Sequence, residues 1–232
     1  MEDIKYLKDI GCFHLYYVES IGSTNTFLKD NFMKFPNNTL LWAGTQTNGR
    51  GRYQDRVWKS NNDYIFTYLM KDFHYNEIIS PLALAEALRK YYNIETKIKW
   101  PNDIYLNDKK LSGILVENIY MPTFKASIVG LGVNKYSKPD VNGIGLIEYK
   151  DIDTLDLITK TTIEYQRLMS INFNELIKLY KNYSNVIGRL VKYKDMYYKA
   201  VNINEKGYLV LESHGQKITV TSDEIDIKTA IL

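Results

Sequence analysis

A single cysteine, Cys12, stands in 232 residues, so the chain has no means of closing an internal disulfide or building a cysteine-rich zinc site. A reducing compartment, the cytoplasm, is the expected setting. No apolar run of signal-peptide or membrane-span length occurs, and Met1 to Ile10 is charged; neither export nor a membrane is expected. An excess of one charge is missing too. A formal charge of +3 and a pI near 8.6 do not demand nucleic acid, although a local basic cluster can still bind phosphates. There is no Gly-x-x-x-x-Gly-Lys-Ser/Thr loop, and Gly130-Leu131-Gly132-Val133-Asn134 lacks the third glycine and following helix of a dinucleotide fingerprint. Any nucleotide site must therefore be of another kind. Internal repeats, low-complexity tracts and proline- or serine-rich linkers are also absent.

What is present is an ordinary globular composition, 45% hydrophobic and 25% charged, in a chain long enough for one good-sized core with a small appended module. The 20 tyrosines are spread along the whole chain and so mark no site. Phe13 to Glu19 has strand character, and Ser23-Thr24-Asn25 offers capping side chains for a helix ending near Met33. Thr39 to Gln46 reads as a buried strand, and Thr47 to Ser60 as a long polar loop. Tyr64 to Met70 is a strand. Ser80-Pro81 reads as an N-cap with proline at the first helical position, opening a helix to about Tyr92. Four short strands follow, around Ile98, Ile104 to Leu106, Ser112 to Tyr120 and Lys125 to Leu131, with Asn107-Asp108 as a hairpin turn. Helical spacing marks Asp153 to Met169 and Phe173 to Tyr183, with Asn172 as a cap. After Ser184 come short alternating strands, Leu190 to Tyr193, Tyr197 to Asn202, Tyr208 to Glu212 and Lys217 to Thr221, which suggest a small β-barrel packed on the main domain.

Four clusters carry chemistry. Gln46-Thr47-Asn48-Gly49-Arg50-Gly51-Arg52 puts two arginines on a loop whose glycines admit close backbone approach to a ligand. Guanidinium forks match carboxylate and phosphate oxygens, so such a loop can hold the two groups against each other; a basic surface loop is the alternative. Lys99-Trp100-Pro101-Asn102-Asp103 joins two strands. Lys109-Lys110-Leu111-Ser112-Gly113 follows on the next hairpin arm, where Lys110 is either a point charge for a developing anion or a solvated turn lysine. Gly130 to Asn134 ends a strand with two glycines and an amide, suited to a small molecule.

In this order and spacing the clusters resemble the biotin–protein ligase family, also called biotin–acetyl-CoA-carboxylase ligase or holocarboxylase synthetase. The resemblance covers Ser23-Thr24-Asn25, Gln46, Gly49 to Arg52, Trp58, Lys99 to Glu117, Gly130 to Asn134 and a terminal barrel from Gly188-Arg189. It implies an α+β fold, a mixed sheet with packed helices similar to the class II aminoacyl-tRNA synthetase core, over residues 1–185. An SH3-like β-barrel over 186–232 would follow. The implied activity has two steps: biotin and ATP give biotinyl-5′-AMP and pyrophosphate, then a carrier-protein lysine takes the biotin as an amide. Biotin and ATP would be substrates, Mg²⁺ would come with the triphosphate, and no dedicated protein metal site is expected. The acceptor would be a biotin carboxyl carrier protein or domain. Homodimers occur in the family.

Residue by residue, the resemblance gives Ser23, Thr24, Asn25 and Gln46 to the biotin head group. Gly49, Arg50, Gly51 and Arg52 would form the loop that closes over the carboxylate and α-phosphate, with Gly113, Gly130 and Gly132 lining the biotin pocket. Arg52, Arg56, Trp58, Asn102, Lys110 and Asn134 would serve ATP, with Trp58 under the adenine and Lys110 also reaching the biotin carboxylate; Arg50, Arg52 and Lys110 would be the catalytic set. Two departures stand out: one extra residue between Arg52 and Trp58, and Ser222-Asp223-Glu224 where members have a Gly-Glu pair. About a dozen residues precede the first predicted strand, too few for the DNA-binding domain some members carry. Lipoate–protein ligases, of the same superfamily, favour an Arg-Arg-x-Ser-Gly-Gly-Gly loop that does not occur here. A non-enzymatic nucleic-acid binder would need a wider basic surface.

Overall fold

The structure is a computed structural model that describes residues 3–51, 57–58, 62–72, 74–221 and 225–227. Its main sheet runs in the order β1 (Lys5–Ile10), β2 (Phe13–Ile21), β3 (Thr39–Gln46), β6 (Tyr64–Lys71), β10 (Lys125–Val133), β9 (Lys109–Tyr120), β8 (Asp103–Leu106) and β7 (Lys97–Lys99). Strands β2 and β3 are parallel; every other neighbouring pair is antiparallel. The sheet is therefore mixed and the class α+β, as expected. A parallel join needs a crossover, and α1 (Thr24–Asn31) supplies it, opened by Ser23 accepting the Thr26 N–H.

Side-chain alternation along the strands feeds two cores on opposite faces. Leu40, Phe66, Tyr68, Val129, Leu131 and Val133 pack with α2 (Asn76–Tyr92), α3 (Thr154–Met169) and α4 (Phe173–Tyr183). The other set, Leu41, Ala43, Ile65, Leu69 and Ile128, packs against Leu28 of α1. Further along β10 the α1 face carries Gly130 and Gly132 in place of bulk. A hollow opens there.

Three sequence expectations change. The first strand is Lys5–Ile10, an edge strand whose first five residues are exposed and whose lysines hide the strand pattern. Helix α2 begins at Asn76, and Pro81 lies inside it. Its start is set by tertiary burial: Ile78 and Ile79 enter the core, their N–H groups bond Tyr75 O, and Tyr165 Oη donates to Asn76 Oδ1. Proline costs one helical bond near the helix start, which that burial outweighs. Within the polar stretch after Gln46, β4 (Gly49–Arg50) pairs with β5 (Val57–Trp58) as a short hairpin. The Asn107-Asp108 turn is as expected, both residues at positive φ (49° and 56°).

The chain ends in an antiparallel sheet, ordered β14 (Gln216–Val220), β13 (Leu209–Ser213), β12 (Met196–Ile203), β11 (Leu190–Tyr193), β15 (Asp226–Ile227). It shares one continuous apolar core with the main sheet. Trp100 Nε1 donates to Gly207 O at 3.0 Å, tying the turn before β8 to this module. Ser222-Asp223-Glu224 lies outside the described residues.

Between α2 and α3 the Glu164 side chain is fully buried and accepts bonds from Lys90 Nζ (2.8 Å), Tyr91 Oη (3.0 Å) and Arg167 Nε (2.6 Å). Burial alone would raise its pKa; the bonds from Lys90, Arg167 and Tyr91 outweigh that and hold it below the usual 4.5. Its stabilisation is thus present above the unfolded value and lost as pH falls through the lower folded one. We expect Glu164→Gln to cost about 1–3 kcal/mol at neutral pH and to flatten the loss of stability below about pH 4.5. Denaturant unfolding at pH 7 and pH 3.5 checks both.

Candidate active site

Beside α1 the sheet holds a cavity of about 580 Å³, lined by residues from β3 to β10, the 100–102 turn, the 134–143 loop and, from the terminal module, Ile225. That size suits a small molecule. One end carries a cluster of uncharged polar side chains. Thr24 donates its N–H and its hydroxyl to Gln46 Oε1, both at 2.8 Å. Thr67 Oγ1 stands 2.7 Å from Thr24 Oγ1 and 3.0 Å from Asn25 Oδ1. Asn25 Nδ2 donates to Leu115 O (3.3 Å) and Glu117 Oε2 (3.2 Å), so the amide presents its oxygen toward Thr67 and Gly130. A Cβ at Gly130 would lie 2.0 Å from that oxygen. Glycine is required there for close approach, not for an unusual φ. This end can pair both donors and acceptors of an uncharged polar ring.

The middle of the floor is bare because Gly113 and Gly132 face each other across β9 and β10. Trp58 lies on this pair: a Cβ at Gly132 would come within 2.6 Å of the indole, and one at Gly113 within 3.4 Å. The Lys138 ammonium sits 4.6 Å from the Trp58 ring centroid and is anchored 2.5 Å from Asp63 Oδ2, itself fully buried. Trp58 Nε1 and Asn134 Oδ1 are buried with no hydrogen-bond partner among the described residues. Both belong to cavity-lining residues, so a donor and an acceptor await a ligand.

Lys110 marks the charged end. The β8–β9 register slips between Ile104 and Tyr105, leaving Leu111 as an extra, unpaired residue. Without that bulge, alternation back from Gly113 would put Leu111 on the cavity face; with it, Leu111 enters the core and Lys110 lines the cavity. Lys110 Nζ is 2.8 Å from Asp103 Oδ1. Its backbone is pinned by Asn142 O, Ile144 N–H and Asn134 Nδ2. Asn102 Nδ2 donates to Ile114 O, which locks the Trp100-to-Asp103 turn to β9.

Arg50 and Gly51 also line the cavity, whereas Gly49 does not. Gly49 is the contact point of the hairpin, where a Cβ would be 2.7 Å from Trp58 O and 2.9 Å from Gln46 Nε2. The Arg50 guanidinium is not beside Lys110: its NH2 bonds both oxygens of Glu117, at 3.1 and 3.3 Å. Arg52 and Arg56 lie outside the described residues. Ser23, Thr24, Asn25, Gln46, Trp58, Asn102, Lys110, Gly113, Gly130, Gly132 and Asn134, separated by up to about half the chain, all come together around one cavity. Sequence reasoning missed Thr67, Lys138, Asp63, Glu117 and Ile225. Thr67 had a readable signal, a hydroxyl on the α1 face of an otherwise apolar strand; the others become visible only through their partners.

A family model described as the biotin/lipoate A/B protein ligase family matches residues 17–134, the segment that carries the head cluster, the Trp58 floor and Lys110. The chain belongs to this family. Among curated relatives, the bifunctional ligase/repressor BirA of Salmonella typhimurium is 30% identical over 90% of this chain and 73% of that protein. The BirA of Bacillus subtilis is 27% identical over 92% and 74%. Among solved structures, the biotin protein ligase of Aquifex aeolicus in complex with biotin and ATP superposes with a TM-score of 0.75 at 23% identity, covering 93% of this chain and 99% of that one. Most of the cavity lining lies within the segment that the biotin/lipoate ligase family model matches.

Proposed function

We propose that this cavity binds biotin and ATP and that the chain is an ATP-dependent biotin–protein ligase acting on a biotin carboxyl carrier protein or domain. One observation carries the reading: within the family-matched segment, a single cavity has an uncharged donor–acceptor cluster at one end and Lys110 at the other. Thr24, Asn25, Gln46 and Thr67, beside Ser23, suit the ureido ring of biotin. The open floor at Gly130 suits its bicycle, and the valeryl chain can lead the carboxylate from there toward Lys110. The dithiolane of lipoate has no N–H to offer Asn25 Oδ1, which favours biotin over the other acid of the family.

In the first step a biotin carboxylate oxygen attacks the α-phosphorus of ATP, forming the acyl-phosphate bond as the bond to pyrophosphate breaks. Lys110, held by Asp103, offsets negative charge on the α-phosphate oxygens. Trp58 gives the adenine a flat neighbour, with its Nε1 and Asn134 Oδ1 as polar contacts. Arg52, which the resemblance assigns to the α-phosphate, Arg56, which it assigns to a phosphate or to the adenine ring, and the backbone of Gly51 complete the loop side. Mg²⁺ would travel with the triphosphate, held mainly by phosphate oxygens, and offset its charge. In the second step the neutral ε-amine of a carrier lysine attacks the acyl carbon, the acyl–oxygen bond to AMP breaks, and the nitrogen releases one proton to water as AMP leaves.

The same reading assigns residues 1–185 to a catalytic domain similar to the class II aminoacyl-tRNA synthetase core, and 186–232 to an SH3-like barrel. In support, the terminal sheet is antiparallel and carries a register shift in β12, a feature that bends strands. A cytoplasmic setting rests on the single cysteine; no helix of the described residues is long and apolar enough to cross a membrane. Biotin-dependent ATP–pyrophosphate exchange tests the function without a carrier. We expect exchange with biotin and none with lipoate; exchange with lipoate alone would overturn the assignment of the acid.

A further inference from the structure

We propose that Glu117 is a positioning residue: it fastens the β4–β5 hairpin over the cavity through Arg50, while fixing the polarity of the Asn25 amide. Arg50 then acts through Glu117 and not as a ligand of the reacting phosphate. The inference rests on the ligase reading for its substrate and on geometry for its parts.

Glu117 does not line the cavity, yet two residues that do, Asn25 and Arg50, both bond it. Lys29 of α1 adds a third contact at 2.9 Å. One carboxylate on β9 thus ties together α1 and the hairpin that crosses the cavity. Glu117 is four residues from Gly113, where the Lys110 side chain lies. That is about 13 Å of extended strand, too far for the Arg50 head to serve Glu117 and the Lys110 end together. Glu117 is only 17% exposed. Burial alone would raise its pKa, and the bonds from Lys29, Asn25 and Arg50 bring it below the usual carboxylate range. It is therefore charged at neutral pH, as a catch for a guanidinium must be. Lys29 keeps it paired when Arg50 lets go, so opening the hairpin leaves no isolated buried charge. By taking an Asn25 N–H, Glu117 also leaves Oδ1 as the atom offered to a ring N–H.

A double-mutant cycle on Glu117→Gln and Arg50→Gln separates this from direct catalysis, because residues acting through one contact do not add. Glutamine at 117 keeps an acceptor for Asn25 and removes the charge. In biotin-dependent pyrophosphate exchange, each variant is expected to raise KM for biotin about tenfold. The double variant should be no worse than about tenfold, with kcat at saturating biotin within about threefold of the parent and KM for ATP unchanged. Multiplication to about a hundredfold, or a collapse of kcat in Arg50→Gln alone, would overturn the proposal. A second readout needs no activity. Tryptic cleavage after Arg50 in the ligand-free protein should quicken several-fold in Glu117→Gln; an unchanged rate would also overturn it. If the parent accepts an acid other than biotin, the substrate reading fails, and the same cycle run with that acid still decides the role of Glu117.

Discussion

Lys110→Ala is expected to lower kcat for biotin-dependent pyrophosphate exchange about 10²- to 10³-fold, the range for removing one preorganised group from a developing oxyanion. The loss should be this large because two things happen together. The cation vanishes, and Asp103, 2.8 Å away, is left as an uncompensated carboxylate facing an anionic substrate. Lys110→Arg should restore little, since the planar fork does not reproduce a compact ammonium tip that folds over Gly113. Double substitution of Lys110→Ala with Asp103→Asn separates the contributions: removing the stranded carboxylate should recover part of the rate. Exchange by Lys110→Ala within about fivefold of the parent would take this residue out of the mechanism.

Gly130→Ala is expected to raise KM for biotin by more than tenfold while leaving KM for ATP close to its starting value. The added methyl would sit 2.0 Å from Asn25 Oδ1 and 2.8 Å from its Cγ, well inside van der Waals contact. Asn25 has little room to yield, because Leu115 O, Glu117 and Thr67 fix its amide from three sides. Overpacking of this kind costs about 1–3 kcal/mol, and here it falls on the head cluster. Gly132→Ala makes the matched control: its methyl meets Trp58 at 2.6 Å, so the larger change should appear in KM for ATP. If both variants shift biotin and ATP alike, the division of the floor into a ring end and a nucleotide end is wrong.

These contrasting outcomes come from two glycines two residues apart on β10, which sequence reasoning grouped together as biotin contacts. It could see that the backbone had to be approached closely, since nothing else explains Gly-x-Gly at a strand end. It could not see by what. Asn25 and Trp58 reach these positions from α1 and from β5, far away in sequence. Arg50 shows the same limit from the other side. A guanidinium on a glycine-bearing loop reads as an anion ligand, but its partner in the structure is Glu117, a residue unremarkable within an alternating strand. The start of α2 failed for a related reason: Ser80-Pro81 is a sound local signal, overruled by the burial of Ile78 and Ile79.

The sequence by itself determined the class of fold, most strand and helix positions, the absence of disulfide or phosphate-loop chemistry, and the residues that meet around the cavity. Strand and helix positions follow from local periodicity and capping; the class of fold and the site residues follow from the resemblance that the motifs carry in their order along the chain. Only the tertiary structure decided which atoms those residues touch. The bulge at Leu111 turns Lys110 into the cavity, the Gly113–Gly132 pairing beds Trp58, and Glu117 holds Arg50 to one side. Each of these depends on strand register, and register is set by pairing between distant segments, which no window along the chain contains.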